Sequence, residues 1–549
     1  MLKCKFLPLF SSLCLLLVFS LAGCSAEPEA PLVPKYKTGL DKKEIRNSAF
    51  SKQFPAQWQT YQRNTQANEA EARATETKYK ASFPFRKNDN TSPVMVGKPG
   101  AGQPYLKNLW LGYPFSFEYN EARGHTYAVE DILNIDRINR YDEAAGLPST
   151  CWNCKTAKIP SWVEENGDKF WSMNFNLFRS KEKIDVHDNT IGCANCHNSE
   201  TMELSLYSVP LKDYLARKNI DYNKLSRNEK RSLACAQCHV EYYFQEPDHG
   251  AARKPVFPWD NGMEPEDMYT YYNDKGKKKE GGGFAQFADW VHPVSKTPMI
   301  KVQHPEYEFW YNGTHGAAGV SCADCHMPYT RLDGKKKVSS HLWTSPLRND
   351  DMIKNSCGQC HTDKDVKFLR ERVQFTQDRV YKQLITAQDI SVLAHESVRR
   401  ASEWQGMKGS DFDATLAQAR EMVRKGQFYW DLVSAENSVG FHNPSKALDT
   451  LSMSQQYSRK AVELASAATN YEIAKDLAGD VRQLVPPLLE WSRKLMMDQA
   501  NLDMHVWTRY LKPLPKTEQV WDGQERKVPM KQSGAEKPGI GPVSVLESK

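Results

Sequence analysis

The sequence predicts a mainly α-helical fold with little sheet, and three observations carry that expectation. Beyond residue 365, apolar residues recur at spacings of three and four, the period of a helix that buries one face. Between residues 151 and 361 aromatics, Gly and Pro are frequent and no period is sustained for long. In that same stretch ten cysteines fall into five Cys-x-x-Cys pairs, so bound groups can fill a core that long elements do not. Forty per cent of the 549 residues are hydrophobic and the mean hydropathy is strongly negative, as in soluble globular chains of one large domain or several ordinary ones. The formal net charge of +6 is mild for this length. The runs Lys277-Lys278-Lys279 and Lys335-Lys336-Lys337 sit among Gly and Asp and read as solvated loops, not as a nucleic-acid surface.

Residues 1–24 form a signal peptide. Lys3 and Lys5 precede an apolar run from Phe6 to Ala22, shorter than the ~20 residues that span a bilayer. The run ends Leu21-Ala22-Gly23-Cys24, which resembles a bacterial lipoprotein cleavage box with Cys24 as lipid acceptor; the alternative is an ordinary secretory signal cut nearby. Both readings place the mature protein outside the cytoplasm.

Of thirteen cysteines, Cys4, Cys14 and Cys24 lie in this leader. The rest pair as Cys151/Cys154, Cys193/Cys196, Cys235/Cys238, Cys322/Cys325 and Cys357/Cys360. Disulfides are the first expectation for an exported chain. Four pairs, however, are followed at once by His197, His239, His326 and His361, and Cys-x-x-Cys-His is the signature of c-type haem attachment. Two thiols add to the haem vinyl groups and the histidine gives iron a nitrogen. Closed zinc sites need four ligands each and give no reason for a histidine directly after every pair. The fifth pair reads Cys151-Trp152-Asn153-Cys154-Lys155. An amine ligates only when neutral, and burial beside a metal favours that form. A disulfide with a stray lysine is the alternative; five evenly formed pairs with no cysteine left over favour five covalently bound haem c groups.

Residues 25–365 are therefore expected to form a pentahaem region, beginning with a polar stretch to about residue 110. Residues 366–511 are expected to form long helices. Val366, Leu369, Val373, Thr376, Val380 and Ala387 mark one seam, with Gln383 out of pattern; Leu416, Ala419, Val423, Gly426, Trp430 and Val433 mark another. Asn443-Pro444 opens a third helix and Pro486-Pro487 breaks or kinks a fourth. Seams this narrow suit packing within the chain or pairing between subunits. Residues 512–549, rich in Pro, Gly and Lys, are expected to be an extended tail.

Four bis-histidine haems need four further histidines, and ten remain outside the motifs. Six-coordinate iron only passes electrons, so four such haems make a wire. The lysine-ligated haem is the place for chemistry if its other face is open. This set resembles the pentahaem cytochrome c nitrite reductases, periplasmic enzymes that form ammonia. The resemblance spans about residues 37–511 and rests on Cys-Trp-Asn-Cys-Lys at 151–155, Cys-Ala-Gln-Cys-His-Val-Glu-Tyr at 235–242 and Lys-Val-Gln-His-Pro-Glu-Tyr-Glu at 301–308.

The resemblance implies a multihaem cytochrome c fold with a haem-packed core, and Lys155 as proximal ligand of the catalytic haem. It implies that nitrite binds on the distal side near Arg137, Tyr242 and His304. Arg137 would hold the anion, with Arg140 the competing candidate by spacing. Tyr242 and His304 would donate hydrogen bonds and protons. Taken alone, Tyr242 reads equally as a packed aromatic and His304 as an axial ligand. The resemblance also implies the distal histidines: His341 for the second motif, His125 for the third, His442 for the fourth and His315 for the fifth. His187, His249, His292, His395 and His505 are left as surface or core residues. One Ca2+ is implied, held by the Glu241 side chain, the Gln303 amide and the backbone of Tyr242 and Lys301; hard oxygens suit that ion. The implied partners are nitrite, a second copy of the chain in a homodimer, and a membrane tetrahaem quinol dehydrogenase or a soluble multihaem donor. Two rival functions stand beside this reading: an electron-transfer cytochrome with no substrate, and a related multihaem enzyme acting on hydroxylamine, sulfite or tetrathionate.

Overall fold

The computed structural model describes residues 36–66, 105–113, 124–133, 148–175, 177–178, 184–245, 253–275, 287–334, 336–408 and 410–473, with short strands at 519–521 and 527–529. The leader with Cys24, Arg137, Arg140, His249, Pro486-Pro487 and His505 lie outside these residues. Helices dominate, as expected. Seven organise the site: α1 (Ile159–Asn166), α2 (Val209–Arg217), α3 (Arg227–Ala236), α4 (Glu306–Tyr311), α5 (Val366–Ser402), α6 (Phe412–Ala435) and α7 (Pro444–Thr469). Sheet among the described residues is limited to two-stranded antiparallel ribbons: β1 (Tyr243–Phe244) with β2 (Pro255–Val256), β3 (Trp290–Val291) with β4 (Pro298–Met299), β5 (Tyr329–Leu332) with β6 (Lys336–Ser339), and β7 (Gln519–Trp521) with β8 (Lys527–Pro529). The last ribbon falls in the stretch expected to be an extended tail, with Val520 paired to Val528 in its register.

Local chemistry sets the helix ends. The Asp365 carboxylate accepts from Phe368 N–H at 2.7 Å and starts α5. Asn443 caps α7 by accepting from Lys446 N–H at 3.1 Å, and Pro444 fills the first turn, where no N–H is needed. Ser226 and Glu229 form a capping box on α3, the helix that carries Cys235. At 37 residues, α5 runs roughly 55 Å.

The two seams read from the sequence are buried, but inside this chain. Leu369, Val373, Thr376, Val380 and Ala387 face inward on α5, with Leu384 taking the turn that Gln383 vacates. Leu416, Ala419, Val423, Trp430 and Val433 do the same on α6. Gly426 marks the closest approach of α6 to α7: a Cβ there would stand 2.5 Å from Ser458 Oγ, and Ser454 Oγ donates to Gly426 O at 2.6 Å. Exposed apolar side chains on α5, Phe368 and Phe375, lie off the buried seam. Among the described residues no helix is long and apolar enough to cross a membrane.

Candidate active site

The Lys155 motif is fixed by aromatic packing. It lies on a 3-10 turn, Ser149–Cys154, that Lys155 terminates. Trp152 is fully buried and stacks on Phe175, centroids 4.2 Å apart and planes at 7°. Its Nε1–H donates to Phe175 O at 3.0 Å. Thr150 Oγ1 donates to Trp171 O at 3.0 Å, and Ser149 N–H to Met173 O at 2.8 Å. Around them Trp162, Phe170, Trp171 and Phe178 complete a cluster. A stacked pair is worth about 0.5–1.5 kcal/mol beyond its burial, so the tryptophan inside the motif locks the turn that presents Lys155.

None of the ten motif cysteines is joined to another in a disulfide, and among the described residues no three His, Cys, Asp or Glu side chains converge as a closed zinc site would need. Nine of the ten are partly buried, as an enclosed haem core requires. Cys360 is the exposed one. The cause is local. Cys357, on the 3-10 turn Cys357–Gln359, packs against a cluster of Leu347, Ile353, Leu369 and Val373. Cys360 ends that turn, and the chain runs on through exposed, polar residues 361–365 to the start of α5.

The histidines pair across sequence. Ring centroids stand 6.5 Å apart for His197 and His341, 5.9 Å for His125 and His239, 6.2 Å for His326 and His442, and 6.4 Å for His315 and His361. Two imidazoles ligating one iron, each at roughly 2 Å and with roughly 1.1 Å from nitrogen to ring centre, require about 6.2 Å. The four gaps therefore fit four bis-histidine haems. Burial pushes His125 down to about 3, and His326 and His341 down to about 4, which keeps the neutral form that binds metal.

The motifs also adjoin one another. Cys154 hydrogen-bonds Cys238, and Cys322 hydrogen-bonds Cys235. Cys325 lies within electrostatic reach of Cys357 and Cys360. The indole of Trp343 sits between His341, at 6.2 Å, and His125, at 5.2 Å. The third motif is thus a junction, touching the Lys155 motif, the second motif and the fourth, with the fifth beyond.

Beside Lys155 stand the other expected pocket residues. His304 feels the charge of Lys155, His239 and Lys301, and burial pushes its pKa down to about 4. Tyr242 feels Cys151 and Cys154, and burial holds its hydroxyl far above the usual range, hence protonated. Each motif histidine already has a partner ring, which leaves His304 free of the wire. Arg137 and its competitor Arg140 lie outside the described residues.

The implied calcium ligands meet as well. Glu241 is fully buried; its Oε1 accepts from Tyr272 O–H at 2.7 Å and its Oε2 from Gln303 N–H at 2.5 Å. The Gln303 amide reaches Lys301 O at 3.1 Å. Burial pushes the Glu241 carboxyl well up, a cost that a cation would offset. Lys301 turns its own ammonium away, 3.0 Å from buried Asp431 and 4.5 Å over the Trp110 ring.

Of the histidines left unassigned, His292 and His395 are core residues, 4.0 Å apart by centroid; His395 bonds Ser295 at 2.8 Å and Gln427 at 2.9 Å. His187 is a surface residue, 4.0 Å from Glu130. Sequence reasoning missed Trp343, Glu306 and Glu436, which contact the histidine pairs. Trp343 and Glu436 carry no motif, although Glu436 stands six residues before His442 in the run leading to Asn443-Pro444, and Glu306 lies inside the 301–308 run with no role assigned to it there.

Comparison with known proteins places this geometry. The cytochrome c552 family model matches residues 47–526. The chain is 58% identical over 511 residues to the cytochrome c nitrite reductase subunit of Nitratidesulfovibrio vulgaris, covering 93% of this chain and 95% of that one. It is 34% identical to cytochrome c-552 of Bacteroides fragilis over 73% of each. A solved structure, the catalytic subunit of cytochrome c nitrite reductase from Desulfovibrio desulfuricans with its two calcium sites, superposes with a TM-score of 0.77 at 58% identity, covering 89% of this chain and all of that one.

Proposed function

We infer, from a chain that belongs to the cytochrome c552 family, that this protein is a cytochrome c nitrite reductase that reduces nitrite to ammonium at the motif of Lys155. One asymmetry carries the reading. Four motif histidines each face a second histidine across 5.9–6.5 Å, whereas the fifth motif offers a lysine with His304 and Tyr242 beside it. Haem c bound at the five motifs supplies electrons one at a time and, at Lys155, an iron that accepts an anion.

The chain's own residues do the rest. Lys155 would hold the haem of its motif through its side-chain nitrogen, and the stacked Trp152 keeps the turn in place. His125, His315, His341 and His442 complete the wire with His239, His361, His197 and His326. Arg137 holds the nitrite oxygens with a permanent charge. Neutral His304 donates an N–H, and protonated Tyr242 an O–H, to oxygens that gather charge as each N–O bond breaks. Six electrons and eight protons turn one nitrite into one ammonium and two waters, so donors that can be reprotonated must stand at the site. Glu241, Gln303 and the carbonyls of Tyr242 and Lys301 would hold one Ca2+, whose charge would offset the burial of the Glu241 carboxylate.

The protein works in the periplasm after removal of its leader, anchored through Cys24 and supplied by a membrane tetrahaem quinol dehydrogenase or a soluble multihaem donor. Two copies pair through exposed faces of the long helices, since the apolar seams are already buried within each chain. The test is the spectrum of the purified oxidised protein. A high-spin ferric haem that shifts when nitrite is added is expected; five low-spin haems unmoved by nitrite would make it an electron carrier.

A further inference from the structure

The four histidine pairs differ at the ring nitrogen that points away from the partner ring. With Nε2 given to iron, Nδ1 carries the hydrogen and needs an acceptor, and the acceptor tunes the metal. His197 Nδ1 stands 2.8 Å from Met202 O, His341 Nδ1 3.0 Å from Ser339 O, and His326 Nδ1 2.9 Å from Thr344 O. All three acceptors are neutral backbone carbonyls. His442 is different: its Nδ1 stands 2.6 Å from Glu436 Oε1.

Glu436 is built for that contact. It is wholly buried at the end of α6. Its Oε1 also accepts from Ser438 N–H at 2.9 Å, and its Oε2 from Ser438 O–H at 2.7 Å and Gly440 N–H at 3.0 Å. Ser438 Oγ in turn accepts from His442 N–H at 2.8 Å. The reversal that allows this closed ring of bonds uses left-handed backbone at Val439 and Gly440, φ +55° and +80°. A carboxylate surrounded by four donors stays anionic and cannot swing away. The next residue, Asn437, binds Glu306, whose Oε2 makes a looser contact with His239 Nδ1 at 3.5 Å. The Glu436 contact is the shorter of the two, and no carboxylate takes the carbonyl's place at His197, His326 or His341.

We propose that Glu436 is a positioning residue that, through the Nδ1–H of His442, lowers the reduction potential of the fourth-motif haem below that of the second. The inference rests on the reading that His326 and His442 ligate that haem, and not on nitrite being the substrate. A fixed negative charge one ring away favours ferric over ferrous iron. When the iron takes one electron from its neighbour, no bond to His442 breaks and the Nδ1 proton stays on the ring. The fourth motif lies between the fifth and the third. The charge therefore bears on the step that passes an electron between the fifth and third motifs, the third adjoining Lys155.

The test is a spectroelectrochemical titration of the holoenzyme without nitrite. Glu436→Gln keeps an acceptor for Nδ1 but removes the charge. One low-spin haem of four should become easier to reduce by about tenfold in its ferrous-to-ferric ratio, about 59 mV for one electron. Glu436→Asp, which withdraws the carboxylate by one methylene, should shift the same haem less and in the same direction. Five-haem Glu436→Gln protein with every potential unmoved, or moved down, overturns the proposal. If Glu436→Gln does not mature, an unmoved Glu436→Asp overturns it equally. Wild-type protein lacking four low-spin bis-histidine haems overturns the ligand reading instead.

Discussion

Replacing Trp152 with alanine should loosen the turn that presents Lys155 by several kilocalories per mole. The side chain is fully buried, stacks on Phe175 at 4.2 Å and meets Trp162 edge-on at 5.7 Å. Cutting a buried tryptophan to alanine costs about 3–5 kcal/mol through lost transfer and the cavity left behind. Phe175 O would also lose its N–H donor at 3.0 Å. Trp152→Phe keeps most of the ring and loses the donor, for about 1–3 kcal/mol. Hydrogen exchange of the holoprotein reads this directly on peptides covering residues 149–178. Trp152→Ala should exchange faster there by between about two and three and a half orders of magnitude, with Trp152→Phe between it and wild type. Peptides from α5 to α7 should not change, because they belong to a different cluster. Wild-type exchange in Trp152→Ala would refute the claim that the motif's tryptophan holds the turn.

Three further outcomes are expected. His304→Asn should lower nitrite turnover by about 10²–10³ with nitrite affinity little changed; appearance of a new high-spin haem would instead make His304 an axial ligand. Lys155→His should still carry five haems by an alkaline pyridine assay while nitrite turnover falls strongly, because the ligand opposite the substrate tunes the iron; unchanged turnover would remove lysine from the account. Stability should rise with pH from about 4 to 6.5, the range between the folded and ordinary pKa of His395. There the unfolded chain binds a proton that the buried ring refuses, for up to roughly 3 kcal/mol; urea melts of His395→Gln should lack that slope, and an identical slope would exclude His395.

What the sequence made legible was what short spacing encodes. The five attachment motifs, the seams of α5 and α6 and the Asn443-Pro444 start of α7 depend on residues within a turn or two of each other. The histidine pairs join positions such as 125 and 239, or 197 and 341, and no local period specifies them; they came from resemblance, and the structure brings those rings together. The subunit role offered for the helical seams was ambiguous because an apolar stripe does not name what covers it. Trp343 and Glu436 escaped notice because a lone aromatic or carboxylate has no pattern of its own, and Glu306, inside the 301–308 run, because the motif does not say which of its side chains meets a histidine. Their roles arise from where Asn64 holds Trp343, through a 2.9 Å bond, and from the reversal after α6.

The central claim is that this chain carries nitrite through to ammonium at the Lys155 motif, and product stoichiometry tests it most directly. Purified holoenzyme supplied with an excess of a low-potential one-electron donor should consume six donor equivalents per nitrite and release one ammonium. Nitrite left unconsumed, or reduction that stops after one or two electrons with a nitrogen oxide as product, would contradict the account.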